Sequence, residues 1–227
     1  MKIIRFSQKG LVGHWRFDEE TGSTAKDSSP YGNDGTIYGA TRVRGIIGKA
    51  LSFDGVDDYV VTSALSRYTS GTILAWINPH EDIIPPPSGN YPNIAGWKAD
   101  PSIYIQANTG RPYLQIIFPS AGIKDLVANT PLTANQWQMI AATWEYDGTI
   151  TTMRIFRNGV EDATPLVVND APPTDALEFY IGRKCLYKGL IDEVRIYNRA
   201  LSPGEIKIIY AFTKYIKPHP IIMRRKL

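Results

Sequence analysis

The segment from residue 137 to residue 160 reads WQMIAATWEYDGTITTMRIFRNGV, and its pattern decides the fold class. Two runs rich in β-branched and aromatic residues, 137–144 and 150–156, have the length of strands rather than of helices. Asp147-Gly148 and Asn158-Gly159 follow these runs, at positions where tight hairpins need a positive φ. The segment therefore predicts three consecutive antiparallel strands.

Short runs of the same kind recur on both sides of this segment. They lie at 11–17, 59–62, 72–78, 103–107, 113–118, 177–181 and 190–197. Almost no helical periodicity precedes residue 200, and the runs are separated by turn residues at fairly even spacing. This pattern is typical of an all-β protein, and we predict a two-sheet antiparallel jelly-roll sandwich with one short C-terminal helix.

The single helix is predicted just after residue 200. Ser202 is a good N-cap residue, and Glu205 completes a capping box with it. Ile206, Ile209 and Tyr210 then share one helical face. A helix of about ten residues that packs this face on the sandwich would close the domain.

Composition and charge indicate one globular domain with short extensions. The 227 residues carry 25 basic and 22 acidic side chains, a balance that gives no sign of a polyanion-binding surface on the domain body. We expect an N-terminal extension at 1–10, one domain at 11–212 and a basic tail at 213–227, the only part suited to nucleic acid. A single cysteine, Cys185, excludes an intramolecular disulfide. We find no apolar run of membrane-spanning length and no signal peptide in this sequence.

The sequence offers little catalytic chemistry. Three histidines, His14, His80 and His219, are dispersed along the chain and form no metal-binding or triad spacing. Glu145 and Asp147 alternate on one strand, as the acid and nucleophile of many sandwich glycosidases do. They run into a glycine turn and lack a third acid, which favours a solvated strand end over an active site.

Four stretches carry a resemblance to a known family. They read GLVGHWRFDE at 10–19, SSPYGNDGT at 28–36 directly after Asp27, GKALSFDGVDDYV at 48–60, and YIGR at 180–183 followed by GLIDEVRIYNRALS at 189–202. Over residues 11–210 the chain resembles the laminin G-like, concanavalin A-like jelly-roll family, whose modules occur in surface proteins and carbohydrate-active enzymes. The resemblance implies the fold strongly and the ligand weakly, because one fold hosts many functions.

A calcium site is expected near the first loop. Asp27 and Asn33 offer hard oxygen ligands in a loop that glycines bend. Similar modules hold a structural Ca²⁺ where this loop meets the last strand, so the resemblance carries the role onto Asp27, Asn33 and Asp192. The alternative is an Asx-rich turn without an ion, with Asp192 accepting hydrogen bonds from backbone amides.

Aromatic side chains are the candidates for ligand binding, although most of them must fill the core. Trp15, Trp76, Trp137 and Trp144 lie inside strand runs and are expected to be buried. The proline-rich stretch at 83–92 reads as a surface insertion, where neighbouring rings reach a rim. The candidate ligand-binding residues are therefore Trp97, Tyr91, Tyr104 and Tyr113.

Three functions follow from these observations. The leading one is a non-catalytic recognition module, carbohydrate-binding or adhesive, at an extracellular, cell or virion surface. The second is a structural or protein-interaction domain of a virion or surface layer, in which the basic tail contacts a partner. The third is a sandwich glycosidase that uses Glu145 and Asp147.

Overall fold

The computed structural model describes residues 8–183 and 187–215, and these residues form an almost entirely β architecture. The elements are β1 Leu11–Trp15, β2 Thr24–Ala25, β3 Gly35–Tyr38, β4 Thr41–Arg44, β5 Lys49–Asp54, β6 Tyr59–Ser66, β7 Gly71–Pro79, a 3₁₀ turn Glu81–Ile83, β8 Asn93–Trp97, β9 Ser102–Ile105, β10 Pro112–Phe118, β11 Gly122–Val127, β12 Gln138–Tyr146, β13 Thr151–Arg157, β14 Val160–Glu161, β15 Leu166–Val168, β16 Ala176–Ile181, β17 Lys188–Tyr197 and α1 Pro203–Tyr215.

The strands form two antiparallel sheets. The larger sheet has the order β14-β13-β12-β7-β17-β5-β4, with β1 paired to β17 and β15 paired to β13. The smaller sheet has the order β11-β10-β9-β8-β16-β6-β3-β2. Neighbours such as β7 and β17 are far apart in sequence, as in a jelly roll, so the predicted all-β, two-sheet fold is confirmed.

The main core lies between the sheets and is rich in aromatic rings. Trp15 stacks on Phe179 at a centroid distance of 5.6 Å, and Trp97 meets Phe179 edge-on at 5.1 Å. Trp97 also meets Trp144 edge-on at 6.3 Å. Each of the three indole N–H groups donates to a backbone carbonyl, so these rings are buried without an unpaired donor.

The C-terminal helix adds a third layer on the outer face of the larger sheet. Ile206 and Ile209 are buried there against residues of β7, β12 and β13, and Tyr210 stacks on Trp76 at 5.5 Å. Ser202 Oγ accepts from the Glu205 amide, and Glu205 Oε2 accepts from the Ser202 amide. The predicted capping box and apolar face are therefore confirmed.

Both predicted hairpin turns are present. β12 pairs with β13 through the turn at Asp147-Gly148, and Gly148 has a φ of 103°. β13 pairs with β14 through Asn158 and Gly159, whose φ values are 52° and 81°. Positive φ at both central residues is typical of a type I′ turn, which the Asn-Gly pair favours.

The proposed ends of the domain fall partly outside the described residues. Residues 1–7 of the predicted extension and 216–227 of the predicted basic tail lie outside them. The helix continues to Tyr215 and buries Thr213, so the first residues assigned to the tail belong to the helix. Among the described residues, no helix is long and apolar enough to cross a membrane.

Phe179→Ala tests the aromatic core. The substitution removes the ring between Trp15 and Trp97, and we expect the free energy of unfolding to fall by about 3–5 kcal/mol. Urea-induced unfolding followed by tryptophan fluorescence measures the loss. Tyr31→Ala is the control, because Tyr31 is 64% exposed, and it should change stability by less than about 0.5 kcal/mol. Similar small losses for both variants would contradict this description of the core.

Candidate functional site

Three tyrosines lie next to one another on the outer face of the smaller sheet. Tyr38 on β3 is paired with Tyr59 on β6, and their rings stack at 4.6 Å. Tyr180 on β16 follows at 6.0 Å from Tyr59. Their neighbours in sequence, Ile37, Val60 and Phe179, point into the core, so the alternation of β-strands places all three tyrosines outside. We call Tyr38, Tyr59 and Tyr180 the tyrosine row.

The Tyr38 end of this row is open to solvent. β2 pairs with β3 only at Gly35 and Thr36, so no strand adjoins β3 at Tyr38, which is 46% exposed. The hydroxyls of Tyr38 and Tyr59 form no hydrogen bond with another residue that the structure describes. A tyrosine in this setting combines apolar contact area with a free polar group, which suits a polyhydroxylated ligand.

Charged side chains surround the Tyr180 end. The Arg183 guanidinium lies 4.5 Å from the centre of the Tyr180 ring, and its Nη1 donates to the Lys98 carbonyl at 2.8 Å. Lys98 Nζ is 3.2 Å from Glu178, and the Tyr180 hydroxyl donates to the same carboxylate. The hydrogen bond from Lys98 lowers the pKa of Glu178, so this carboxylate is ionised and paired at neutral pH.

An acidic turn lies between β5 and β6, directly before Tyr59. Asp54, Asp57 and Asp58 each place a carboxylate oxygen within 4.8 Å of the others. Asp58 is buried, accepts the Asp54 amide at 2.8 Å, and has its pKa raised by burial. Oxygen ligands at this spacing could hold a divalent cation such as Ca²⁺.

Trp97 was expected at the rim of a binding surface, but the structure buries it in the core. Trp97 is 1% exposed and packs between the sheets, with its indole N–H donating to the Leu65 carbonyl at 3.0 Å. It ends β8, whose side chains at Ile94, Ala95 and Trp97 all join the core. Its ring therefore offers no face to a ligand in solvent.

The other three candidate residues are tyrosines that differ in exposure. Tyr104 on β9 stacks on Tyr113 on β10 at 5.4 Å, and its hydroxyl donates to Asp100 at 3.0 Å. Both rings are more than 90% buried, and burial raises both pKa values well above the usual range. Tyr91, which precedes β8, is 46% exposed. Only Tyr91 of the three presents much of its side chain to solvent.

Asp27 is the centre of a hydrogen-bonded turn. Its Oδ1 accepts from the His14 and Ser29 amides, each at 2.8 Å, and its Oδ2 accepts from the Asn33 amide at 2.8 Å and the Ser29 hydroxyl at 2.6 Å. Asn33 turns its amide nitrogen toward the Val12 carbonyl. These contacts match the Asx-turn alternative, because both carboxylate oxygens already accept two hydrogen bonds.

Asp192 has a separate set of partners. Its Oδ2 accepts from the amides of Ile46 and Ile47, and its Oδ1 accepts from the Glu193 amide at 2.7 Å. It is fully buried, and burial raises its pKa to about 8. Asp27, Asn33 and Asp192 share no hydrogen-bond partner among the described residues, and a calcium ion held by all three stays a prediction.

A buried charge cluster that the sequence did not suggest joins β1 to β17. His14 Nε2 lies 2.8 Å from Glu193 Oε2, and Arg195 Nη2 donates to the same oxygen at 2.5 Å. Burial alone would raise the pKa of Glu193, but His14 and Arg195 lower it to about 2. Because its charges pair with one another across two hydrogen-bonded strands, we interpret the cluster as structural.

The two acids of the glycosidase alternative have different surroundings. Asp147 Oδ1 accepts from the amides of Thr149 at 2.8 Å and Ile150 at 2.9 Å, which lowers its pKa. Glu145 lies on the outer face of β12, beside Thr152 of β13. Asp147 is thus part of a hairpin turn rather than a carboxylate that faces a substrate.

Comparison with known proteins identifies the family. A family model described as the concanavalin A-like lectin/glucanases superfamily matches residues 54–207. No curated protein sequence matches the chain significantly.

Several solved structures share the fold. Domain 4 of AbnA, a GH43 extracellular arabinanase from Geobacillus stearothermophilus, in complex with arabinotriose, is 24% identical with a TM-score of 0.69, covering 88% of this chain and 98% of that domain. The ligand binding domain of botulinum neurotoxin serotype D, in complex with N-acetylneuraminic acid, is 14% identical with a TM-score of 0.69, covering 90% of this chain and 51% of that domain. The binding domain of Paraclostridial Mosquitocidal Protein 1 is 17% identical with a TM-score of 0.67, and the match covers 89% of this chain and 52% of that one. The chain spans about half the length of these toxin domains.

Asp27→Ala separates a hydrogen-bonding role of Asp27 from a metal-binding one. The substitution leaves four donors without their acceptor, and we expect the free energy of unfolding to fall by about 3 kcal/mol. The loss should be the same in excess calcium and in excess chelator, as urea unfolding would measure. Glu20→Ala is the control, because the Glu20 side chain is 90% exposed. A loss that is larger in calcium than in chelator would show that Asp27 is a metal ligand.

Proposed function

The chain belongs to the concanavalin A-like lectin/glucanases superfamily, and from this premise we propose that it is a non-catalytic module that binds carbohydrate. We place the binding surface at the tyrosine row. The module would act in recognition or adhesion at an extracellular, cell or virion surface. This role agrees with the fold, but the proposal depends on the chemistry of the exposed rings.

One observation carries the proposal: the tyrosine row lies on the outer face of β3, β6 and β16, on the side of the smaller sheet away from the core. The larger sheet has the helix on its outer side, whereas Tyr38 at the edge of the smaller sheet remains 46% exposed. The apolar face of a sugar ring packs on an aromatic side chain, and the sugar hydroxyls then pair with phenol hydroxyls and nearby charged groups. Tyr38, Tyr59 and Tyr180 provide this combination on three adjacent strands.

The ligands of structurally similar domains support a carbohydrate. The arabinanase domain was solved with arabinotriose and the botulinum neurotoxin domain with N-acetylneuraminic acid. At identities of 24% and 14% these relatives share only the fold with this chain. They support the class of ligand and not a particular sugar.

A second function, protein interaction, has one observation in its favour. Helix α1 packs through Ile206 and Ile209 but exposes Ile208 and Tyr215, which are 53% and 71% accessible. Exposed apolar side chains on a surface helix are a common feature of protein contacts. A structural domain of a virion or surface layer would use such a surface and would bind no glycan.

We also propose that the module takes a structural Ca²⁺, and we assign it to the acidic turn of Asp54, Asp57 and Asp58. This turn brings a carboxylate oxygen of each residue within 4.8 Å of the others, and Asp57 forms no side-chain hydrogen bond with the described residues. In Asp27 and Asp192, by contrast, both carboxylate oxygens accept hydrogen bonds. Calcium there would offset the repulsion among the three carboxylates. It would also brace the connection between β5 and β6, next to Tyr59.

Tyr38→Ala and Tyr59→Ala test the carbohydrate site. Each removes aromatic contact area from the proposed surface, so affinity for a bound oligosaccharide should fall about tenfold or more, the equivalent of about 1.4 kcal/mol. A glycan array identifies the oligosaccharide, and titration calorimetry measures its affinity for each variant. Tyr31→Ala, which removes an exposed ring away from the row, should bind as the wild type does.

Two results would contradict the proposal. Binding that is unchanged in both row variants would move the site elsewhere, and failure to bind any glycan would favour the protein-interaction function. The same samples test catalysis, since we expect no release of reducing ends. Release that Glu145→Gln abolishes would favour the glycosidase alternative instead.

Asp57→Asn tests the proposed calcium. Wild-type protein should gain about 2.7 kcal/mol of stability at calcium concentrations a hundredfold above Kd, because only the folded chain forms the turn. Asp57 forms no side-chain hydrogen bond with the described residues, so Asp57→Asn should abolish this gain with little effect in chelator. Thermal unfolding with calcium and with chelator measures both quantities. A gain that persists in Asp57→Asn but disappears in Asp192→Asn would restore the first assignment.

A further inference from the structure

The tyrosine row ends at a cation that has spare hydrogen-bond donors. Arg183 lies over the Tyr180 ring at 4.5 Å, and Nη1 donates to the Lys98 carbonyl. Within the described residues, Arg183 forms no ion pair with a carboxylate, and its remaining N–H groups have no acceptor. The contact with the ring and the bond to the carbonyl hold the guanidinium in place beside the row.

The charges around Arg183 leave an excess of positive charge at this end. Glu178 accepts the Tyr180 hydroxyl, and Lys98 already pairs with this carboxylate at 3.2 Å. Two cations therefore accompany one carboxylate next to Tyr180. A negatively charged ligand is therefore attracted to the Tyr180 end of the row.

We propose that the tyrosine row selects glycans that carry a carboxylate, and that this carboxylate binds Arg183 while the sugar rings lie along Tyr180, Tyr59 and Tyr38. The inference rests on the proposed function, because it names the class of glycan for the same surface. A guanidinium pairs with a carboxylate through two parallel N–H donors, which a hydroxyl or an ester cannot accept as strongly. Acidic sugars of the uronic and sialic acid classes carry this group on the sugar ring.

The polarity of the row also fixes the direction of the ligand. A carboxylated residue belongs at the Tyr180 end, because the Arg183 guanidinium lies there. Neutral sugars then occupy the Tyr59 and Tyr38 positions, where free hydroxyls are the available hydrogen-bonding groups. A glycan with a single acidic residue at one end fits this arrangement better than a uniformly charged polymer.

Matched pairs of oligosaccharides test the proposal. The panel contains short uronic acid and sialic acid oligosaccharides, each with its methyl ester, which keeps the sugar and removes the charge. We expect the acid to bind wild-type protein about tenfold more tightly than its ester, a preference that shrinks at high salt. In Arg183→Gln the acid should bind no more tightly than the ester.

Two further variants keep the result interpretable. Lys207→Gln removes one exposed charge from the helix, on the other side of the sandwich, and should retain the preference for acid. Arg183→Lys keeps the charge without the paired donors and should retain a reduced preference, provided that thermal unfolding shows both Arg183 variants to be folded.

The outcomes distinguish this inference from the function on which it rests. If acids and esters bind equally, or if the preference survives in Arg183→Gln, then the carboxylate assignment is wrong and the carbohydrate-binding function stands. If nothing in the panel binds but another glycan of the array does, the carboxylate assignment is wrong and the carbohydrate-binding function stands. If no glycan of the array binds either, both are contradicted. If the preference for acid is present in the wild type and absent in Arg183→Gln, the carboxylate assignment is supported.

Discussion

Burial of the larger sheet on both faces is the constraint on which the rest of the structure depends. Strand β17 lies inside this sheet between β5 and β7, also pairs with β1, and is buried from Ile191 to Tyr197. Its inner side chains meet the smaller sheet, and its outer face at Tyr197 lies under helix α1. Among the described residues no helix packs on the outer face of the smaller sheet. Tyr104 and Tyr113 are nevertheless buried on β9 and β10, so the open surface for a ligand is the outer face of β3, β6 and β16.

The same constraint explains why the polar groups inside the fold form hydrogen bonds and ion pairs with one another rather than contacts with a ligand. Asp192 and Glu193 lie on β17 where its pairing with β7 shifts register, and Glu193 has a φ of 52°. Asp192 accepts backbone amides, and Glu193 pairs with His14 and Arg195. These contacts compensate charges that burial would otherwise disfavour. The hydroxyls of Tyr38 and Tyr59, in contrast, form no hydrogen bond with the other described residues.

The sequence was informative where a signal is local. The hairpins around 137–160 and the helix that begins at Pro203 depend on neighbouring residues, and both were predicted correctly. Asp27 was considered both as a metal ligand and as an Asx turn, and its four hydrogen bonds match the turn. Strand β8 was not predicted, because its short sequence NIAGW follows a proline-rich stretch and contains glycine. The error at Trp97 follows from that omission.

The tyrosine row could not be predicted, because it depends on which strands become neighbours. Tyr38, Tyr59 and Tyr180 lie on strands that pair in the order β3, β6 and β16, and nothing local in the sequence specifies this order. The excess charge at Arg183 depends likewise on the pairing of Lys98 with Glu178 across β8 and β16. Residue types indicated the chemistry available to the chain, and strand order decided which residues act together.

The central claim is that carbohydrate binds on the outer face of the smaller sheet. Amide chemical-shift mapping during titration with the tightest-binding oligosaccharide of the panel tests it most directly. The account predicts that the largest changes fall on β3, β6 and β16, around Tyr38, Tyr59, Tyr180 and Arg183. Changes concentrated on the outer face of β12 and β13, or in the loop around Asp27, with the tyrosine row unaffected, would contradict it.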